Sequence, residues 1–205
     1  MPRGFAELAF SDAVRRIQER LGARDRNAEL ERQDIGRDRI TADLAAFIAQ
    51  RDSCFLATAS AAGQPYIQHR GGEPGFLHAL DEHRLAFADV EGNKQYITYG
   101  NLSENPKALI FLMDWGNRQR VKIWGEARLA EDDEALLAQL PPIKSRRPIR
   151  RAIVFDVAAW DINCPQHIPQ LFSLADVEAA SRGMLARIAE LETEVELLRG
   201  EKKAD

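Results

Sequence analysis

Cysteine, long apolar runs and surplus positive charge are all scarce in this chain, and each shortage excludes something. The 205 residues include only Cys54 and Cys164, too far apart for a metal-binding spacing. Two cysteines allow one disulfide at most, but Cys54 lies in the apolar strand pattern "CFLATAS" and reads as a small buried hydrophobe. No hydrophobic stretch approaches the ~20 residues of a membrane span. The N-terminus has no basic segment leading into an apolar one, so a cytoplasmic protein without a secretory leader is expected. A formal net charge of −4 supplies no global field toward nucleic acid or an anionic membrane. Four histidines, His69, His78, His83 and His167, show no H-x-x-x-H or H-E-x-x-H spacing, and no metal site is expected. His69 and His167 stand in polar contexts, where a hydrogen-bonded surface or interface role is the simpler reading. There is no G-x-S-x-G, no cysteine–histidine motif, no G-x-G-x-x-G and no alternating strand–helix pattern, so catalytic residues stay unassigned and a Rossmann fold is not expected.

What is present is an ordinary globular composition, 45% hydrophobic and 29% charged, sized for one domain with extensions. Residues 1–50 read as a helical extension. Ser11 caps a segment with Val14, Ile17 and Leu21 on one side and Gly22 closing it. The charged stretch "ARDRNAELERQDIGRDR" reads as a connection, and Thr41 opens a short helix bearing Leu44, Phe47 and Ile48. From residue 51 to 165 the period becomes that of strands. "CFLATAS" and "PYIQHR" form a hairpin, followed by "RLAFAD", "KALIFLMD", "QRVKIWGEARLA" and "RAIVFDVAAW". In the fifth of these, Val121, Ile123, Ala127 and Leu129 face one way, and Arg120, Lys122, Trp124, Glu126 and Arg128 the other. Six strands with short connections predict an antiparallel sheet closed into a small barrel, mainly β with flanking helices. Residues 166–205 read as a C-terminal helix that either docks on its own domain or pairs with a symmetry mate as a coiled coil. Ser173 and Asp176 match a capping signature, and Met184, Ile188, Leu191, Val195 and Leu198 recur at alternating four and three.

The stretch "FADVEGNKQYITYGNLSENP" carries the chemical question. Asp89 ends an apolar strand, and a turn with Gly92, Asn93, Lys94 and Gln95 leads into a helix. Unpaired N–H groups at a helix start, with an amide and a lysine beside them, suit an anion; a capped turn without a ligand is the bland alternative. Two more segments join it. "QHRGG", Gln68 to Gly72, ends a strand in polar side chains and two glycines that leave the backbone bare. Arg120 and Lys122 share a strand face with Trp124. Cations and N–H donors on separate strands suit a phosphate-bearing ligand, whereas a solvated strand face needs none. The basic run "KSRRPIRR" reads as a solvated connection into the last strand, with an RNA contact as its alternative.

The ordered blocks "FLATAS", "GQPYIQHRGGEPGF", "LAFADVEGNKQYITYGNLSENPKALIFL" and "NRQRVKIWGEARL" resemble the pyridoxamine 5′-phosphate oxidase-like family of FMN-binding split barrels. The likeness covers roughly residues 40 to 165. The N-terminal "AVRRIQERLG" and the segment "WDINCPQHIP" resemble one uncharacterised bacterial branch. The resemblance implies a six-stranded split barrel that forms a homodimer with FMN in clefts between subunits. It implies that Gln68, His69, Arg70 and Gly71 run along the flavin, and that Asp89 lies near it. Asn93, Lys94 and Gln95 fall on the family's phosphate turn, and Arg120 on a strand position that reaches FMN. Lys122, beside it, joins the set from its strand face. Three departures matter. Glu73 stands where the vitamin-oxidising members carry a lysine, Gln95 replaces a common base, and "NCPQHIP" stands where their substrate-binding arginine motif would be. The resemblance therefore implies an FMN-dependent oxidoreductase acting on a small molecule, without implying pyridoxamine phosphate oxidation. A non-catalytic carrier of FMN or of another flavin-like cofactor such as a deazaflavin, and a helix-mediated interaction protein, are the alternatives.

Overall fold

Alternation of apolar and polar residues builds the sheet. The computed structural model describes residues 4–34, 36–143, 148–162 and 165–201, the side chains of residues 197, 198, 200 and 201 excepted. Its strands are β1 (Ser53–Ala59), β2 (Pro65–Gly71), β3 (His78–Ala79), β4 (Arg84–Ala88), β5 (Lys107–Asp114), β6 (Gln119–Glu131) and β7 (Arg151–Ile162). They form one antiparallel sheet in the order β2-β1-β5-β6-β7-β4-β3. The expected six strands become seven because β3 pairs with β4 through two residues, too few to leave an alternating pattern.

The inward residues of strands far apart in that order meet in one core. Leu56 of β1, Ile110 of β5, Ile123 of β6, Phe155 of β7 and Phe87 of β4 belong to a single buried cluster, so the sheet curls into a split barrel. The bend has a visible device in β6, whose register with β7 slips between Trp124 and Gly125. A Cβ at Gly125 would lie 2.0 Å from the Asp156 carbonyl oxygen, so only glycine permits this crossing.

Helices close the ends. Helix α1 is Phe5–Ala9, α2 Asp12–Arg20, α3 Arg24–Gln33 and α4 Ala42–Ala49. Ser11 Oγ accepts from the Val14 amide and Thr41 Oγ1 from the Leu44 amide, the expected N-caps. Leu44 and Ile48 of α4 enter the barrel core. The expected charged connection is instead α3. It has no apolar stripe to announce it, and side-chain pairs hold it: Glu31 binds Arg24 at 2.7 Å and Arg15 at 3.3 Å, and Gln33 donates to Glu29 at 2.6 Å. The remaining helices are α5 (Ile97–Glu104), α6 (Glu134–Leu137) and α7 (Leu174–Glu201). Ser173 and Asp176 cap α7 reciprocally, with the Ser173 amide donating to Asp176 at 3.0 Å and the Asp176 amide to Ser173 Oγ at 3.1 Å. No helix among the described residues is long and apolar enough to cross a membrane.

Candidate functional site

Strand parity divides the sequence-proposed residues between two faces of the sheet. On edge strand β2, Tyr66, Gln68 and Arg70 share the face of Thr58, Leu56 and Cys54, their partners on β1. These three side chains line an open, shallow cleft that encloses only about 50 Å³. Its other walls are Asp89 and Val90 after β4, the turn from Gly92 to Tyr96, the first turn of α5 with Thr98 and Tyr99, and Arg151 at the start of β7.

At the base lies Asp89, 4% exposed. Burying a carboxylate is costly unless it is paired, and this one has three partners. Arg70 Nη1 donates to Asp89 Oδ1 at 2.8 Å, the Tyr99 hydroxyl donates to Oδ2, and Arg151 Nε stands 3.7 Å from Oδ2. The Arg151 guanidinium also lies over the Tyr99 ring, 5.3 Å from its centroid. Burial, then the hydrogen bond and charge of Asp89, push the Tyr99 phenol well above its ordinary value of 10.0, so the hydroxyl stays a donor. One carboxylate thus faces two guanidinium groups, and positive charge remains at the cleft floor.

The turn above it is locally strained. Lys94 (φ 62°) and Tyr96 (φ 52°) both occupy the left-handed region, which side-chain-bearing residues disfavour. Asn93 Oδ1 steadies the turn by accepting from the Gln95 amide at 3.2 Å, and Asn93 Nδ2 donates to Gln95 Oε1 at 3.1 Å. Lys94 Nζ pairs with Glu91 at 2.9 Å and its side chain is 57% exposed. No N-cap side chain bonds the first amides of α5, whose first turn forms part of the cleft wall. The α5 helix is pinned to the strands below it. Thr98 Oγ1 donates to Gln68 Oε1 at 3.0 Å, and Asn101 Nδ2 to Thr58 Oγ1 at 3.0 Å.

Gln68, Arg70, Asp89, Asn93, Lys94 and Gln95 therefore gather around one cleft. His69, Gly71, Arg120 and Lys122 do not join it within one chain. His69 packs edge-on to Phe55 across the outer face, with ring centroids 5.7 Å apart. The bare backbone at the two glycines has a packing cause. A Cβ on Gly72 would stand 2.7 Å from that of Phe76, and one on Gly71 would stand 3.1 Å from the Asp52 carbonyl oxygen. Arg120 and Lys122 lie on the outer face of β6. Lys122 is opposite Asp161, and Trp124 is stacked by Phe5 of α1 at 5.8 Å. Burial raises the Asp161 carboxyl above its ordinary value, against the opposing pull of Arg37 and Lys122.

Tyr66, Tyr96, Thr98, Tyr99 and Arg151 are cleft residues that sequence reasoning left out. Parity from Gln68 and Arg70 pointed to Tyr66, and Thr98 and Tyr99 follow from the helix start. Arg151 carried no such signal, because it ends a basic run that reads as a solvated connection. Arg150 is exposed as that reading expects, whereas Arg151 is half-buried against Asp89; residues 144–147 lie outside the described ones. In "NCPQHIP", Asn163 and Cys164 also lie outside them. Burial pushes the Cys54 thiol up to about 12 despite nearby Arg70, which leaves it inert.

Known proteins resemble this chain at the level of family and fold. The family model described as pyridoxamine 5′-phosphate oxidase matches residues 40–164, more than half the chain. No curated protein matches. Among solved structures, HupZ of Group A Streptococcus is 17% identical, covering 65% of this chain and 99% of its own, with a TM-score of 0.47. General Stress Protein 26 from Bacillus anthracis is 16% identical, with coverages of 58% and 89% and a TM-score of 0.43. A pyridoxamine 5′-phosphate oxidase-related, FMN-binding protein from Nostoc punctiforme is 14% identical, with coverages of 58% and 77% and a TM-score of 0.40.

Proposed function

The chain belongs to the pyridoxamine 5′-phosphate oxidase family, and we propose on that premise that its cleft holds FMN by the phosphate. The observation that carries this reading is the excess of cations over carboxylates at the cleft. Arg70, Arg151 and Lys94 stand against Asp89 and Glu91, next to the uncapped start of α5. An anion there gains charge-assisted hydrogen bonds and the favourable end of the helix dipole. The turn from Asn93 to Gln95 would hold the phosphate, and Gln68 and Arg70 on β2 would run beside the ring system. Asp89 keeps the two guanidinium groups in place, and the protonated Tyr99 hydroxyl fixes Asp89. Bound FMN would supply hydride or one-electron transfer, which no side chain of the cleft can perform.

The cleft lining includes neither histidine nor cysteine, and its one carboxylate is tied into the arginine network. These residues position and tune a cofactor without themselves offering a nucleophile. An oxidoreductase acting on a small molecule fits that division of labour. A carrier that never turns over is the second reading, favoured by the same lack of an uncommitted general base.

A homodimer completes the site. The cleft is too open for one chain to bury most of a cofactor-sized ligand. The outer face of the sheet carries two rows, Ile67–Ala57–Leu109 and His69–Phe55–Phe111–Lys122, exposed at β2 and half-buried on the strands beside it, the first row ending at Trp124 under Phe5. A second copy on that face would cover apolar surface and bring Arg120 and Lys122 to a subunit boundary. Purification followed by mass spectrometry of the bound small molecule tests the cofactor. Stopped-flow mixing with reduced nicotinamide cofactors then separates enzyme from carrier. FMN that neither co-purifies nor binds on addition would rule the proposal out.

A further inference from the structure

Helix α7 leaves the barrel with its apolar side chains uncovered. Between Leu174 and Val195 its large apolar residues range from 42% exposed at Leu191 to 74% at Leu174. All but Leu185, which flanks it, lie on one seam. Leu174, Ile188 and Val195 occupy one position of a heptad, with polar Ser181 among them, and Val177, Met184 and Leu191 the other. Leu198 continues the repeat in sequence, its side chain lying outside the described ones. The repeat thus starts at the first residue of the 28-residue helix, ten residues before Met184.

The residue types beside the seam select the partner. Arg187 and Glu194 precede the first seam position of their heptads, and Glu192 and Arg199 follow the second. In a parallel, in-register pair, the flanking residue five positions further along the partner helix comes alongside. Arg187 then meets Glu192, Glu194 meets Arg199, and Ala180 meets apolar Leu185; every pairing occurs twice by symmetry. Within one helix a spacing of five brings no side chains together, so these pairings have no use in a lone α7. Arg187 has an in-chain partner, Glu190 at 2.8 Å, at an outer position that leaves its flank free to be shared. The β-branched Ile188 and Val195 at one seam position, with Leu191 at the other, favour two strands over three. Gly183 falls on the side away from the seam.

We infer that α7 forms a parallel, in-register, two-stranded coiled coil with α7 of a second copy of this chain. Its root is fixed to the barrel, since Gln170 Nε2 donates to the Gly116 carbonyl at 2.7 Å and the Leu171 amide to the Trp115 carbonyl at 3.4 Å. That anchor is the β5–β6 turn, at the end of the sheet whose outer face carries the two rows. A parallel coil has its twofold axis along the helices, so the two barrels lie on one side of the coil, related by that axis. The coil adds to the homodimer reading a defined direction and register, and it holds whatever the cleft binds.

Cross-linking of the full chain tests it. In a Cys164→Ser background, Val177→Cys and Val195→Cys each place one thiol on the seam, near the root and the far end. Mild oxidation should give a disulfide-linked dimer from each variant alone, and Thr193→Cys on the outer side should give far less. Absence of dimer from Val195→Cys overturns the inference. So does cross-linking of Met184→Cys with Val195→Cys only when the two are mixed, which is the antiparallel result. A charge exchange gives a second readout. Arg187→Glu should weaken assembly several-fold, and adding Glu192→Arg should restore it; no recovery overturns the register. Flavin measured in the cross-linked protein keeps the two ideas apart, because a cross-linked dimer without flavin leaves the coil standing and sinks the FMN reading.

Discussion

Lys94 shows what the cleft asks of a single residue. Its φ of 62° costs a side-chain-bearing residue about 1 kcal/mol, and its side chain is more than half exposed. Two substitutions separate these properties. If the turn holds the phosphate as proposed, Lys94→Ala and Lys94→Gly would both remove a charge-assisted contact of ~1.5–3 kcal/mol, so each should weaken FMN binding on the order of tenfold or more. Only the glycine relieves the backbone, and thermal unfolding should rank it above the alanine by about 1 kcal/mol. Equal binding by wild type and both variants would move the phosphate elsewhere. Asp114 plays a structural part instead. Burial opposes its ionisation, but hydrogen bonds from the Asn117 side chain and amide, with the Arg51 guanidinium 2.8 Å away, hold its carboxyl below the ordinary 3.8. A depressed carboxyl contributes stability that is present above pH 3.8 and lost as pH falls through its folded value. Denaturant titrations should therefore show Asp114→Asn destabilised by about 3 kcal/mol at neutral pH, with the gap to wild type closing in acid. A gap that does not change with pH would contradict that account.

Strands were legible because alternation is a two-residue signal that survives in short windows. Val121, Ile123 and Ala127 are buried as their parity requires, and the hairpin of β1 and β2 falls where the turn chemistry put it. Elements without a period were not legible. The α3 helix is held by Glu31 and Glu29 pairing with arginines, a pattern indistinguishable in sequence from a charged linker. The two-residue β3 falls below any pattern length. The cleft was legible in part, since Gln68 and Arg70 share parity and Asp89 to Gln95 are contiguous. Arg151 is brought in only by the pairing of β4 with β7, which no local signal encodes. The same holds for Gly125, whose need appears only once Asp156 lies across from it. Gly125→Ala drives a Cβ to 2.0 Å from a backbone oxygen that cannot rotate away. A loss of at least about 2 kcal/mol is expected in chemical unfolding, against a small change for Gly183→Ala on exposed α7. Comparable stability of the two variants would remove the bulge from the account of how the sheet bends.

At the scale of the whole molecule, polar cleft, partly exposed outer face and seamed helix are separate demands that one twofold assembly would meet together. Removing residues 174–205 leaves the described barrel cores intact, because no residue of α7 belongs to either cluster. Light scattering should then report weaker assembly with the flavin site retained. The central claim, however, is that an anion-binding turn anchors the cofactor, and one comparison addresses it directly. Titrating the purified protein with FMN and with riboflavin, by quenching of flavin fluorescence, compares ligands that differ by the phosphate alone. With two or more charge-assisted hydrogen bonds lost, riboflavin should bind at least about a hundredfold more weakly than FMN. Equal affinity for the two, or binding of neither, would contradict the account.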